Sequence, residues 1–211
     1  MTPTERVEAY LATTGYPRSL FVGDDGRIYG TWVMGQAYGV QTGYYGGYPA
    51  GYLRRVAALF PDKQAVLHLF SGKVNPTILP GDTVDVRAEL SPTFVVDATS
   101  LVGVPVCDYD LVLADPPYSV EDADHYGPPM VNRNKVLAAL CGLRPGAHVV
   151  WLDQVLPMYR KVDWKTIGYI GMVKSTSHRF RMITVFERIG GHPKGEVMQD
   201  DPRSAASGPL R

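Results

Sequence analysis

The chain has 211 residues, of which 45% are hydrophobic and 20% are charged, and this composition is typical of a soluble globular protein with one substantial core. Its 21 basic residues balance its 21 acidic residues, which argues against a protein that coats nucleic acid through bulk charge. No apolar stretch is long enough to span a bilayer and the first residues lack the order of a signal peptide, so we expect no membrane role and a cytoplasmic location.

Composition divides the chain into three parts. Residues 1–48 are rich in glycine and tyrosine and show little periodicity, which predicts a loop-like N-terminal segment. Residues 49–189 carry the periodic pattern of one domain, and residues 190–211 are polar and rich in Gly, Pro and Ser, which predicts a disordered tail. The two cysteines, Cys107 and Cys141, are too few for a disulfide framework and are predicted to be buried and reduced.

The middle part alternates helical and strand patterns. A helix is predicted over 49–62 and a second one over 132–146, each ended by proline. Short apolar runs predict strands at 65–70, 83–87, 93–98, 109–114, 147–153, 166–173 and 180–188, the last two joined as a hairpin. This alternation predicts an α/β fold with a mainly parallel central sheet and a C-terminal β-hairpin.

Acidic or small residues follow several of these strands. Ligands of parallel α/β sheets bind beyond the carboxyl ends of the strands. Residues 71–72, Asp85, Asp97 and Asp115 are therefore predicted to share one rim of the sheet. Such a shared rim is suited to a cofactor site.

The tetrapeptide Asp115-Pro116-Pro117-Tyr118 carries the most specific chemistry. The lone pair of an exocyclic amine on a base is delocalised into the ring, so an enzyme must aim that nitrogen before it can attack a methyl donor. Asp115 can accept one N–H of the amine and the carbonyl of Pro116 the other. The two prolines stiffen the turn and remove competing donors, and the ring of Tyr118 can stack on the base.

Three segments together resemble a known enzyme family. LHLFSGKV, VVDAT and LVLADPPYS are similar to the S-adenosylmethionine-dependent amino-methyltransferases that make N6-methyladenine or N4-methylcytosine in DNA, and also to some RNA amino-methyltransferases. The resemblance covers roughly residues 50–188. It implies a Rossmann-like methyltransferase fold, S-adenosylmethionine as the cofactor and DNA as the partner.

The resemblance also implies a cofactor site. An acid on the second strand binds the ribose hydroxyls, for which Asp85 is the match, and an acid after the third contacts the adenine of the cofactor, for which Asp97 is the match. The helix over 49–62 is similar to the one that precedes the cofactor loop in many members. The methionine part lies in a strand-and-loop cradle formed by Leu69, Phe70, Ser71 and Gly72.

The cofactor loop departs from the family pattern. Lys73 and Val74 stand where the family usually has another glycine, and NPTILPGD has two prolines and no room for the helix expected after the loop. Lys73 either contacts the cofactor carboxylate or is a solvated loop residue.

Substrate contacts have to come from small loops, because there is no obvious target-recognition domain. Candidates are the Tyr- and Gly-rich stretch, residues 119–130 and the hairpin 174–181, in which His178 and Arg179 could contact a phosphate. The alternatives are aromatic residues that pack on their own core and an exposed hairpin tip. The basic residues between 160 and 181 form either a phosphate-contacting edge or a set of solvated faces. The aromatic stretch includes Trp32, Tyr38, Tyr44 and Tyr45.

Three functions are compatible with this pattern. The first is methylation of an exocyclic amine in DNA, most simply adenine N6. The second is the same chemistry on RNA. The third is a non-catalytic methyltransferase-like protein that binds nucleic acid. The altered cofactor loop favours the third, and the intact motif at 115–118 argues against it. The oligomeric state stays open, and no metal is predicted.

Overall fold

A computed structural model of the chain describes residues 1–35, 47–74, 77–117, 131–174 and 180–190. The helices are α1 (Pro3–Thr14), α2 (Tyr52–Leu59) and α3 (Arg133–Ala139). The strands are β1 (Leu20–Val22), β2 (Ile28–Met34), β3 (Val66–Leu69), β4 (Asp82–Asp85), β5 (Phe94–Val95), β6 (Leu111–Ala114), β7 (His148–Asp153), β8 (Trp164–Lys174) and β9 (Phe180–Arg188).

All nine strands form one sheet in the order β1-β2-β8-β9-β7-β6-β3-β4-β5. Every strand except β1 and β9 runs in the same direction, because β9 is antiparallel to both of its neighbours and β1 is antiparallel to β2. Strands β8 and β9 are paired as the predicted C-terminal hairpin. The predicted fold class, a Rossmann-like α/β fold with a mainly parallel central sheet, is confirmed.

The chain order reverses between β3 and β6. From β3 the chain moves outward through β4 to β5, and it then returns to place β6 and β7 on the other side of β3. Ligands of open α/β sheets bind at such a switch point, beyond the carboxyl ends of the strands. The site is therefore expected where β3 and β6 end.

The prediction that residues 1–48 are loop-like is wrong for the described residues. Helix α1 begins with a capping box in which Thr2 and Glu5 exchange hydrogen bonds, and Pro3 is its first residue. Strand β2 then pairs in parallel with β8 along its whole length. The segment that we separated by composition thus supplies two strands of the same sheet, while residues 36–46 lie outside the described part.

Each face of the sheet has its own apolar core. On one face α1 and α2 pack against the sheet through Tyr10, Tyr52, Val56 and other buried residues. On the other face α3 and the chain between β5 and β6 cover the strands. Among the described residues no helix joins β3 to β4 or β4 to β5, except for a short 3-10 turn (Ala88–Leu90), in agreement with the prediction that the helix after β3 is missing or broken.

The prediction that both cysteines are buried is wrong. Cys107 is exposed and Cys141 is half-buried, because each lies in a short 3-10 turn at the surface rather than on an inward strand position. In the described part of the chain no helix is both long and apolar enough to cross a membrane. The described residues also contain no group of three or more His, Cys, Asp or Glu side chains that could hold a metal ion.

Candidate functional site

The segments predicted to hold the cofactor and the substrate leave the sheet side by side. Leu69, the last residue of β3, is the register partner of Ala114, the last residue of β6. The chain that follows Leu69 and the turn that begins with Asp115 therefore start at neighbouring positions on the same rim. Asp115 is half-buried and Pro116 is buried, whereas Tyr118 lies outside the described residues.

The loop after β3 has an unusual backbone. Phe70 has a φ of 55° and Gly72 a φ of 52°, and the left-handed region is unfavourable for a residue such as phenylalanine. Ser71 is 2% exposed, and its N–H donates to the carbonyl of Val84 over 3.1 Å. Residues held in strained conformations cluster at binding and catalytic sites, so this loop is a good candidate for a ligand cradle.

Asp85, at the end of β4, holds this loop in place. Its Oδ2 accepts a hydrogen bond from the N–H of Gly72 at 3.1 Å and one from Arg87 Nη2 at 3.4 Å. Its Oδ1 accepts from the N–H of Arg87 at 3.0 Å and from Arg87 Nε at 3.2 Å. A carboxylate offers about four lone-pair sites. The carboxylate is thus fully engaged within the chain, and contact with ribose hydroxyls requires Arg87 to move away.

Asp97 follows β5 and is exposed. Its Oδ1 accepts a hydrogen bond from the N–H of Thr99 at 2.8 Å, and its carbonyl accepts from the N–H groups of Ser100 and Leu101, both at 3.0 Å. The local turn therefore fixes the direction of the carboxylate. Asp97 is placed on the same rim as Asp85, since β4 and β5 are neighbouring parallel strands.

These residues fit S-adenosylmethionine in part. A left-handed glycine at a strand end brings backbone close to a ligand, and the exposed Asp97 carboxylate can accept from an amino group or a hydroxyl. Asp85 fits only after Arg87 moves. The short connection between β3 and β4 also puts no helix N-terminus behind the loop in its described residues.

A cluster of polar aromatic side chains packs under the Asp115 turn. Tyr48 and Tyr52 stack with ring centroids 5.3 Å apart, and the Tyr48 ring lies 5.7 Å from that of His68. His68 Nε2 is 3.0 Å from the carbonyl of Leu79, which can only accept, so Nε2 carries the proton and Nδ1 is an acceptor. The hydroxyl of Tyr48, 3.3 Å from Nδ1, is therefore the donor of that hydrogen bond.

Burial and the nearby Asp115 carboxylate both raise the pKa of Tyr48 well above its ordinary value. Burial raises the pKa of Tyr52 in the same way, with smaller contributions from Tyr48 and Asp115. Burial lowers the pKa of His68, which keeps the imidazole neutral. The hydroxyl of Tyr52 is buried and has no hydrogen-bond partner among the described residues, so within this part of the chain one phenol donor near Asp115 is unsatisfied.

An acid that the sequence analysis did not single out lies at the end of β7. Asp153 is 1% exposed and accepts hydrogen bonds from Arg133 Nε at 2.6 Å and Nη2 at 3.1 Å. Its carboxylate also accepts from Trp151 Nε1 at 3.1 Å. Trp151 is the register partner of Ala114, so this pair lies next to the Asp115 turn. The sequence signal for Asp153 is an apolar strand that ends in an acidic residue, as at Asp85 and Asp115.

The predicted substrate-contact residues fall largely outside the described part. This applies to residues 119–130 and to Tyr38, Tyr44, Tyr45, His178 and Arg179. Trp32 is described and is 0% exposed. For Trp32, therefore, packing on the protein's own core is the correct alternative.

The described basic residues between 160 and 181 are not gathered along one edge. Lys165 and Lys174 lie at opposite ends of β8, roughly 30 Å apart at the usual rise of a strand. Arg160 forms an ion pair with Asp163 at 3.2 Å. For these residues the solvated-face alternative describes the structure better than a continuous phosphate-contacting edge.

Comparisons with known proteins carry no argument about the function of this chain. No family model matches the chain, and no curated protein matches it. A solved structure with a similar fold is that of the N-methyltransferase NodS from Bradyrhizobium japonicum. It is 13% identical, covers 65% of this chain and 92% of its own length, and has a TM-score of 0.43. The functional argument therefore rests on the residues of this chain.

Proposed function

We propose that this protein transfers a methyl group from S-adenosylmethionine to an exocyclic amine of a nucleic-acid base, specifically N6 of adenine in DNA. The observation that carries the proposal is the register of β3 and β6. Because Leu69 and Ala114 are paired, the cradle-like loop and the Asp115-Pro116-Pro117 turn emerge together at the switch point of the sheet. A methyl donor and an amine bound to these two segments would be neighbours.

The two segments have complementary tasks in this proposal. S-adenosylmethionine supplies an electrophilic methyl group on its sulfonium. Asp115 and the carbonyl of Pro116 each accept one N–H of the amine, which turns its lone pair toward that methyl group. As the new N–C bond forms the C–S bond breaks, and the nitrogen releases one proton past the Asp115 carboxylate to solvent.

The surroundings of Asp115 support this role. Half-burial next to the phenols of Tyr48 and Tyr52 limits the access of water to the carboxylate, which strengthens its hydrogen bonds to an amine. The neighbouring Asp153 is tied to Arg133 by two hydrogen bonds, so its charge is compensated within the protein. In this proposal Asp153 positions Arg133 and Trp151, and Asp115 contacts the substrate amine.

Calorimetry and a methyl-transfer assay test the proposal in sequence. We expect S-adenosylmethionine to bind, and the labelled methyl group to transfer to duplex or single-stranded DNA and to be lost with Asp115→Ala. The matched control is Asp108→Ala, which removes an exposed acid paired with Arg144. Absence of binding at millimolar cofactor contradicts the proposal and favours the non-catalytic alternative. Transfer to RNA but not to DNA favours the RNA alternative.

A further inference from the structure

A surface groove lies on the same rim of the sheet as the Asp115 turn, at the opposite end from β5. It has a volume of about 340 Å³. Strand β2 runs parallel to β8 and ends at this rim, and the chain that precedes β1 passes beside it. The groove is lined by residues 15–19 of the chain before β1, by Thr31 and Val33 of β2, and by Arg55 of α2.

The groove combines two cations with an exposed ring and contains no acid in its lining. Arg55 lies 4.5 Å below the centroid of the Tyr16 ring, and Tyr16 is 50% exposed. Arg18 is exposed, and its φ of 70° places it at the tip of a tight turn. Because the charges of Arg18 and Arg55 add at this surface, an anionic ligand would be attracted to the groove.

Arg55 is fixed in position by neutral groups. Its Nη1 donates to the hydroxyl of Tyr10 at 2.9 Å and its Nη2 donates to the carbonyl of Val33 at 3.3 Å. Among the described residues no carboxylate forms an ion pair with it. The half-buried guanidinium therefore keeps a positive charge that no carboxylate of the described residues neutralises and that an anionic ligand can meet.

A row of packed rings connects this groove with the Asp115 turn. Tyr52 lies on the first turn of α2 and Arg55 on the same helix three residues later, a spacing that makes them neighbours. The Tyr52 ring is 6.2 Å from that of Trp32, and Arg55 lies 5.6 Å from the same indole. An occupant of the groove is thus separated by Trp32 and Arg55 from Tyr52, whose pKa is raised by burial and, to a smaller extent, by the Asp115 carboxylate.

We infer that this groove binds the phosphodiester backbone of single-stranded nucleic acid beside the target nucleotide, with Arg18 and Arg55 facing phosphates and Tyr16 stacking on a base. This inference rests on the proposed function, since it supplies the strand contact that the proposed reaction needs. Aromatic side chains next to cations are the usual means of holding a single strand without reading its sequence. Addition of a peptide strand to β2 is disfavoured, because Arg55 already occupies the carbonyl of Val33.

Binding of a fluorescent single-stranded oligodeoxynucleotide, measured by anisotropy at several salt concentrations, tests the inference. Each phosphate contact to a single strand contributes about 0.7 to the slope of log K against log salt. We therefore expect Arg18→Ala to lower this slope by about 0.7, and Tyr16→Ala to weaken binding about tenfold at unchanged slope. The matched control, Lys165→Ala, removes an exposed cation at the opposite end of the parallel strands.

The inference and the proposed function fail in different ways. S-adenosylmethionine affinity, measured by calorimetry, should be the same in Arg18→Ala, Tyr16→Ala and the unmodified protein, since neither residue lies near the loop after β3. If both variants bind the oligonucleotide as the unmodified protein does, the groove is not the binding site, even if methyl transfer is active. An RNA oligonucleotide that binds in the same Arg18-dependent way supports the groove, while the transfer assay decides the substrate.

Discussion

The backbone N–H of Gly72 donates a hydrogen bond to the carboxylate of Asp85 over 3.1 Å, and this contact joins the loop after β3 to the end of β4. No helix follows this loop in its described residues, so the usual support of the loop from behind is absent. Asp85 replaces part of that support. The residue that the family resemblance assigns to the ribose is therefore also a positioning residue for the cradle.

Replacing Asp85 with asparagine weakens either its contact with Gly72 or its contact with Arg87. The amide has one acceptor oxygen, and its NH₂ group would face either the N–H of Gly72 or the guanidinium of Arg87. We expect Asp85→Asn to lower the free energy of unfolding by about 1–3 kcal/mol, because a buried donor loses its partner. We also expect S-adenosylmethionine affinity to fall roughly tenfold, which is about 1.4 kcal/mol. Chemical denaturation and calorimetry measure the two effects.

The matched variant is Arg87→Ala, which leaves the bond between Gly72 and Asp85 in place. We expect it to retain cofactor binding, since the carboxylate keeps the loop and gains lone pairs for the ribose hydroxyls. Loss of cofactor binding in Arg87→Ala, together with full binding in Asp85→Asn, would show that Asp85 does not hold the cradle.

The two tyrosines below Asp115 differ in one respect that can be measured. The hydroxyl of Tyr48 donates to His68, whereas that of Tyr52 is buried and has no partner in the part of the chain that the structure describes. We expect Tyr48→Phe to lower the free energy of unfolding by about 1 kcal/mol, and Tyr52→Phe to raise it by a similar amount, because an unsatisfied buried polar group is removed. Urea denaturation of both variants checks the opposite signs. Destabilisation by Tyr52→Phe would mean that its hydroxyl is satisfied in solution.

The sequence predicted the central part of the fold because the strands there are buried on both faces. The residues of β3, β6 and β7 are buried throughout, and such strands appear in a sequence as continuous apolar runs. Their ends are equally visible, since Asp115 closes one run in the way that Asp153 closes another. The position of the candidate site is predicted from these ends together with the general rule for parallel sheets.

The N-terminal strands could not be predicted from composition. Glycine is a loop signal in a sequence, but Gly30 lies within β2. Glycine is required at this position because a Cβ atom would collide with the carbonyl of Ser19 and with Leu20. The partner of β2 is β8, whose residues are far away in the sequence, and such pairings leave no local pattern. The capping box of Thr2 and Glu5 was readable and would have predicted α1.

The partners of the site acids depended on three-dimensional packing. Asp85 is engaged by an arginine two residues along the chain, but its contact with Gly72 requires the neighbouring strands to be in register. The cluster of Tyr48, Tyr52 and His68 brings together a helix, the chain before it and a strand. Only the fold shows that these groups meet at the Asp115 turn.

His148 provides a test of the packing between α1, α2 and the sheet. It is 4% exposed, its ring lies 5.2 Å from that of Phe60, and no described residue forms a hydrogen bond with its Nδ1. Burial, with a further contribution from the positive charge of Arg6, lowers the pKa of His148 to about 3. In the unfolded chain a histidine has a pKa of about 6.5. Between these values the unfolded state binds one more proton than the folded state.

Stability should therefore fall as the pH decreases through 6.5 toward 3, because it rises with pH wherever the unfolded state binds more protons. For this residue the expected loss between pH 7 and pH 5 is roughly 2 kcal/mol. Urea denaturation at both pH values, in the unmodified protein and in His148→Gln, measures it. We expect the variant to lose roughly 2 kcal/mol less than the unmodified protein over this interval, whatever its stability at pH 7. An identical pH dependence in both proteins would mean that the pKa of His148 is the same in the folded and unfolded states. The interface near Phe60 would then admit water.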